Sequence, residues 1–266
     1  MKNKNKVAVI GAKGYVGRGM MKIFPDAYQF DLGLGSKGEV NENCELAIVC
    51  VPTPSRENGS CDISIVEEVV SWLATPLILI KSAIEPGAAA YLSEKYNKKI
   101  VVSPEYMGEG KYWTPPKYPD PQNPITHGFV VLGGPFELCS RIADIFTPVL
   151  GPATRFRFVS AIDAETIKYA ENAWGMIKVM FANQLRNFCE AAGANWHMVR
   201  EGWLDDPRVE PMHTAVFANK RGFGGRCFPK DTKAFVHIAK VLGVDLSIIQ
   251  AGIEANKRYE DPSHGT

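Results

Sequence analysis

The sequence predicts a doubly wound α/β sheet followed by a helical domain built on one long central helix. Three observations carry this. Short β-branched runs alternate with helical stretches through the first half, a glycine-rich turn follows the first run, and a proline-free stretch extends from Ala161 to Asn195. VAVIG (7–11), QFD (29–31), LAIVCVP (46–52), LILIKS (77–82) and IVVSPE (100–105) are near-continuous apolar runs, the pattern of parallel strands covered on both faces. Helices are expected between them at 15–24, 62–74 and 86–97. Asp62 and Pro86 stand at the starts of the second and third, where an acid or a proline favours initiation.

The segment 111–127 carries five prolines, which exclude helix and central strand and make it a long loop. A strand at 128–134, a helix at 135–146 and a short strand at 156–160 complete a first domain, residues 1–160. From Ala161 a single helix is expected, interrupted internally only by Gly175. Its apolar residues run around most of the circumference, so it is buried in a core or lies at a subunit interface. Shorter helices and a glycine-rich loop at 222–225 finish a second domain, residues 161–266. No internal repeat or low-complexity tract is present.

Composition narrows the function classes. The 266 residues are 45% apolar and 22% charged with a net charge of +1, the profile of an ordinary globular protein. This gives no electrostatic case for nucleic acid or a membrane surface as partner. The six cysteines (44, 50, 61, 139, 189 and 227) are scattered, without CxxC or Cys/His ligand spacing. Neither a disulfide framework nor a metal site is expected, and a reducing cytoplasm is the default compartment. The apolar run after the basic start, Val7 to Ile10, is too short for a signal peptide or a membrane span.

GAKGYVG (11–17) follows a strand and opens a helix, the context of a dinucleotide fingerprint. Gly11, Gly14 and Gly17 let the backbone turn tightly and approach a pyrophosphate, which then sits at the positive end of a helix beginning near Tyr15 and Val16. The spacing is GxxGxxG, with Ala12 in place of the first glycine of the GxGxxG form, so a purely structural turn stays open. Asp31 ends the second strand, 20 residues after Gly11. An acid there accepts from the adenosine ribose hydroxyls and repels the extra phosphate of NADP. An exposed loop aspartate is the bland alternative. The turn and the acid in register make the first domain Rossmann-type and NAD its cofactor.

RGFGGRCFPKD (221–231) places Cys227 after three glycines and before Lys230 and Asp231. Nearby positive charge from Arg226 and Lys230 favours a thiolate nucleophile, and Gly224 and its neighbours admit a substrate closely. Most lone cysteines, however, are buried beside a turn. SPEYMGEG (103–110) puts Glu105 and Glu109 past the carboxyl end of a strand, where ligands bind in open α/β sheets, and Glu105 could activate water. Glu165, Lys168 and Asn172 fall at i, i+3 and i+7 on one helical face. Lys168 and Asn172 could stabilise an oxyanion, or the three could form a solvated stripe.

GYVG, CVPTP (50–54), SPEYMGEG, AETIKYAENA (164–173), CEAAGAN (189–195) and GFGGRCFPKD together resemble the UDP-glucose/GDP-mannose dehydrogenase family across nearly the whole chain. The resemblance implies that Cys227 is the nucleophile, Lys168 and Asn172 the oxyanion-stabilising pair and Glu105 the general base. It makes Asp231 an acid managing protons and water, and Glu109 a second acidic position. Pro52, Thr53 and Ser82 join the glycine turn, Tyr15 and Val16 included, around NAD. Glu109, Lys168, Asn172, Gly224 and Arg226 contact substrate. The reaction it implies is a four-electron oxidation of a nucleotide-sugar C6 alcohol to the uronic acid. Separately, the apolar long helix predicts a homodimer packed along 161–190.

Three departures accompany the resemblance. Ala83 stands where the family has threonine in its serine-threonine-valine-proline motif, and Arg226 replaces a serine. Family members carry a further α/β domain that grips the nucleotide, expected to begin about where this sequence stops at Thr266. The proline-rich 111–127 segment is expected to act as a wall or lid. Two other readings remain: a two-electron sugar-phosphate or hydroxyacid dehydrogenase, and a non-catalytic NAD-binding partner protein.

Overall fold

In the computed structural model, residues 7–108 and 120–260 are described. Glu109 and most of the 111–127 segment, with the lid expectation attached to it, lie outside them. The chain divides into two compact units. The first runs to Lys168 apart from Glu57–Ser60, and the second takes up Glu57–Ser60 and everything from Tyr169.

The first unit is a seven-stranded sheet ordered β2-β1-β3-β4-β5-β6-β7. The strands are β1 (Val7–Ile10), β2 (Tyr28–Phe30), β3 (Leu46–Val49), β4 (Leu77–Ile80), β5 (Ile100–Val102), β6 (Phe129–Gly133) and β7 (Arg155–Val159). Alternation along the apolar runs divides their side chains between two cores, because successive residues of a strand point to opposite faces. Ala8, Ile10, Ala47, Val49, Ile78 and Ile80 pack on one side with α2 (Lys37–Asn43), α3 (Ser64–Trp72) and α4 (Ala88–Tyr96). Val7, Val9, Leu46, Ile48, Leu77 and Leu79 pack on the other with α1 (Tyr15–Ile23) and α5 (Phe136–Leu150). Nearly every residue of β1, β3 and β4 is fully buried, which is why these strands read as unbroken apolar runs.

The sheet is parallel as expected except at one pairing. β1 to β5 are parallel, but β5 pairs with β6 antiparallel through Val102 and Gly133, and β7 follows β6 in parallel. A parallel neighbour needs a crossover that carries the chain back to the starting edge. The connection from β5 to β6 instead re-enters from the edge at which β5 ends.

Several boundaries also shift. Strands end at Val49, Ile80 and Val102, before the expected 52, 82 and 105, because the following residues turn away into the loops at the carboxyl edge. α2 was not anticipated. Its seven residues are too few to show a helical period, and it is started by Ser36, whose side chain accepts from the Glu39 amide.

The second unit begins inside the long helix, α6 (Ala161–Ala191). That helix stops before Asn195 because Gly193 adopts φ 71° and Asn195 caps the next helix, accepting from the amides of His197 and Met198. α7 (Trp196–Leu204), α8 (Phe228–Val241) and α9 (Ser247–Glu260) follow. Met176, Met180 and Phe223 form one core cluster with Phe228, Ile249 and Ile253 against it. Among the described residues no helix is long and apolar enough to cross a membrane.

Candidate active site

The strand order reverses at β1, so the crevice of the sheet opens between the carboxyl ends of β1 and β3. Gly11 sits there at φ 84°, and a Cβ on it would stand 2.8 Å from the Cys50 carbonyl oxygen. A Cβ on Gly17 would run into the Gly11 carbonyl and lie 2.8 Å from the Ala12 Cα. Only glycine allows the turn and the first helical turn to close so tightly. Gly14 is the N-cap of α1, and no side chain caps that helix end, which carries the positive end of the helix dipole.

Asp31 lies just beyond β2, where its carboxylate accepts from the Lys13 and Leu32 amides, both at 2.8 Å. The strand-end acid is thus fastened directly over the glycine turn. This cradle fits the pyrophosphate and ribose of a dinucleotide. Val16 lies in the first turn of α1 and Pro52 is exposed after β3.

Three other residues assigned to the cofactor are held in the protein's own hydrogen bonds. The Thr53 hydroxyl donates to the Ala83 carbonyl at 2.8 Å and the Ser82 hydroxyl to the Val51 carbonyl at 2.7 Å, bracing the loops after β3 and β4 against each other. The Tyr15 hydroxyl donates to the Gly108 carbonyl at 2.5 Å. Tyr15 therefore ties α1 to the loop after β5 that carries Glu105.

Glu105 is almost enclosed. One carboxylate oxygen accepts from the Met107 amide at 2.7 Å, and the other lies 3.5 Å from the Lys81 ammonium. Its backbone carbonyl accepts from Lys168, whose ammonium also stands over the Tyr106 ring. Glu165, one turn earlier on α6, faces elsewhere. Its carboxylate accepts from the Gly87 and Ala89 amides at 2.6 and 2.8 Å, at the N-terminus of α4. Burial pushes Glu165 up to about 7 against these two hydrogen bonds. The alternative of a solvated stripe does not hold: Glu165 is 1% and Asn172 4% exposed.

In the second unit, Cys227 is the N-cap of α8 and is exposed, whereas the other five cysteines are buried. Its sulfur therefore stands at the positive end of a 14-residue helix, which stabilises negative charge there. One turn on, Asp231 is 2% exposed; it accepts from the Asn172 amide group at 2.5 Å and pairs with Lys230. Gly224 and Arg226 are exposed beside the cysteine.

The residues that hold this loop were not anticipated. Asn183 accepts from Arg221 and from the Gly222 amide, and Asn256 bonds both the N–H and the carbonyl of Phe223. Phe228 seats over Gly175, where a Cβ would lie 2.6 Å from its ring. For Asn183 the available signal was a polar residue in the largely apolar run VMFANQL, whereas Asn256 stands among charged residues in EANKRYE and offered none. In the first unit, Lys81 was missed in the same way, as a cation closing a buried strand run.

A glycine turn at a sheet crevice with a carboxylate fastened above it defines a dinucleotide-binding fold. Comparison with known proteins then gives the family. Residues 26–120 match the NAD binding domain of the UDP-glucose/GDP-mannose dehydrogenase family, and residues 162–258 match its central domain. The chain belongs to that family, and NAD is its cofactor.

It is 30% identical over 226 residues to the UDP-glucose 6-dehydrogenase of Rickettsia typhi, covering 81% of this chain and 50% of that protein. With the UDP-glucose 6-dehydrogenase TuaD of Bacillus subtilis it shares 28% over 227 residues, 80% of this chain and 46% of the relative. The chain thus spans about half the length of the curated relatives it matches. A UDP-glucose dehydrogenase from Pyrobaculum islandicum has the same fold, with a TM-score of 0.75 at 22% identity over 94% of this chain and 67% of that one.

Proposed function

We propose that this chain oxidises the C6 alcohol of a nucleotide sugar to the uronic acid through a covalent Cys227 intermediate. The observation that carries the reading is the single exposed cysteine at the N-terminus of α8, one turn before a buried Asp231 bonded to Asn172. Residues 1–160 serve as the NAD-binding domain, with Gly11, Gly14, Tyr15, Val16, Gly17, Asp31, Pro52, Thr53 and Ser82 around the cofactor. Residues 161–266 serve as the domain that carries the cysteine loop and pairs two protomers in the cytoplasm.

Bound NAD supplies a hydride acceptor, and two molecules are consumed in turn. The alcohol carbon first loses a hydride and its oxygen a proton, giving the aldehyde. The Cys227 sulfur adds to that carbon to form a thiohemiacetal, whose oxygen Lys168 and Asn172 hold while a second hydride leaves. The resulting thioester is hydrolysed. Glu105 takes a proton from water, the carbon–sulfur bond breaks, and Asp231 manages the proton that returns to the thiol. Gly224 and Arg226 border the sugar, and Glu109 is a further substrate contact.

The test is NADH production by the purified chain with UDP-glucose, UDP-N-acetyl sugars, GDP-mannose and simple sugar phosphates, for wild type and Cys227→Ala. Two NADH per sugar consumed, abolished by the substitution, is the expected result. One NADH per sugar, unaffected by Cys227→Ala, would mean a two-electron dehydrogenase. Binding of NAD without turnover of any sugar would mean a non-catalytic partner protein.

A further inference from the structure

Lys81 is a buried cation that no step above uses. It ends the apolar run of β4 and is 8% exposed. An ammonium so deep is costly unless its protons are all taken up. Here it donates to the Pro104 carbonyl at 2.9 Å and to the Ser103 hydroxyl at 3.3 Å, and it lies 3.5 Å from the Glu105 carboxylate. Two hydrogen bonds and one ion pair thus meet the ammonium. All three partners come from consecutive residues, 103–105, so one side chain fixes the whole turn that follows β5. The Glu105 oxygen facing Lys81 is buried and accepts no hydrogen bond, so the ammonium at 3.5 Å is the charge that balances it. Met107 holds the second oxygen and Lys168 the carbonyl. His127 faces the same small cavity, of about 30 Å³, which is room for a water molecule. Cys50 is the other titratable group nearby, its thiol pushed up by burial.

We infer that Lys81 is a positioning residue for the hydrolytic step, orienting Glu105 through the Lys81–Glu105 ion pair and its two bonds to the 103–104 backbone and hydroxyl. This rests on the reading of Glu105 as the base that activates water. In this role Lys81 acts through Glu105 and not on the reacting carbon itself. Its removal should therefore spare hydride transfer and thioester formation, and slow the release of acid. Glu105 keeps its Met107 bond in the absence of Lys81, but the oxygen left over is then buried with no cation opposite it.

Two measurements test this on the full chain. In thermal unfolding, Lys81→Met should lower the midpoint by about 5–10 °C, because one charge of a buried pair is left alone. Lys81→Met/Glu105→Gln should recover part of that loss. Losses that simply add would overturn the pairing, and this arm needs no activity.

In turnover with the sugar that wild type oxidises, Lys81→Met should lower steady-state NADH production at least tenfold while leaving a first burst of two NADH per chain. Intact-mass measurement should then show the acyl adduct on Cys227 accumulating in the variant and not in wild type, with Lys81→Arg restoring release in part. A uniformly slowed variant without burst or adduct would make Lys81 merely structural and overturn the inference. Wild type that forms no NADH would instead count against the proposed reaction, leaving the unfolding cycle to decide the pairing.

Discussion

Glu165 shows how a residue can be found by pattern and misread in purpose. Spacing put it on the face of Lys168 and Asn172, yet its carboxylate turns to the α4 amides of Gly87 and Ala89. The position was legible in sequence because i, i+3 and i+7 share a helical face. The partner was not, because it lies 76 residues away and nothing local specifies it. The consequence is a pH dependence. Burial raises the folded-state value of Glu165 to about 7 from an ordinary 4.5, so between these values the folded chain holds a proton that the unfolded chain has lost. Stability from this group is therefore full below about 4.5 and is lost as pH rises through about 7. Glu165→Gln cannot titrate. Denaturant unfolding should show wild type losing roughly 2 kcal/mol relative to Glu165→Gln between pH 5.5 and 8. An unchanging difference between the two would show that the two amides, and not burial, govern this carboxyl.

Elements were legible where a period extends over many residues. β1, β3 and β4 declared themselves by unbroken apolar runs, and α6 by its length without proline. β6 was found but not its direction, since strand polarity depends on which edge a connection enters and not on the strand's own residues. The cysteine loop was found by its glycines, but its anchors were not. Phe228 on α8 seats over Gly175 on α6, and the His213 ring packs on it at 5.4 Å between centroids. Phe228 adjoins Cys227, so this contact sets where α8 begins and where the sulfur stands. Gly175→Val would place branched carbons where the phenyl ring lies, at a cost of about 1–3 kcal/mol. It should displace the start of α8 and reduce alkylation of Cys227 by iodoacetamide, and NADH production with it, at least tenfold, while far-ultraviolet circular dichroism stays helical. Unchanged alkylation would show that the Asn183 and Asn256 anchors alone fix the loop.

The whole-molecule question is what covers the outer face of α6. Sequence indicated a helix apolar around most of its circumference, and the structure accounts for one side: Met176, Met180, Ala182 and Cys189 are buried within the second unit. Trp174, Phe181 and Phe188 are left 62%, 52% and 68% exposed. They recur every seven residues and so share one face. Phe181 lies midway between the other two, so a two-fold axis beside it would set Trp174 of each protomer against Phe188 of its mate, the self-complementary arrangement of an isologous dimer. Each ring buries about 150–250 Å² when covered, and truncated aromatic anchors typically cost about 2 kcal/mol or more each. Light scattering at micromolar concentration should therefore give twice the 29.3 kDa of one chain, and Trp174→Lys/Phe188→Lys should give the single mass with its unfolding cooperativity retained. A monomeric wild type would leave this stripe uncovered by a second copy. A dimer that survives both lysines would place the contact on some other surface.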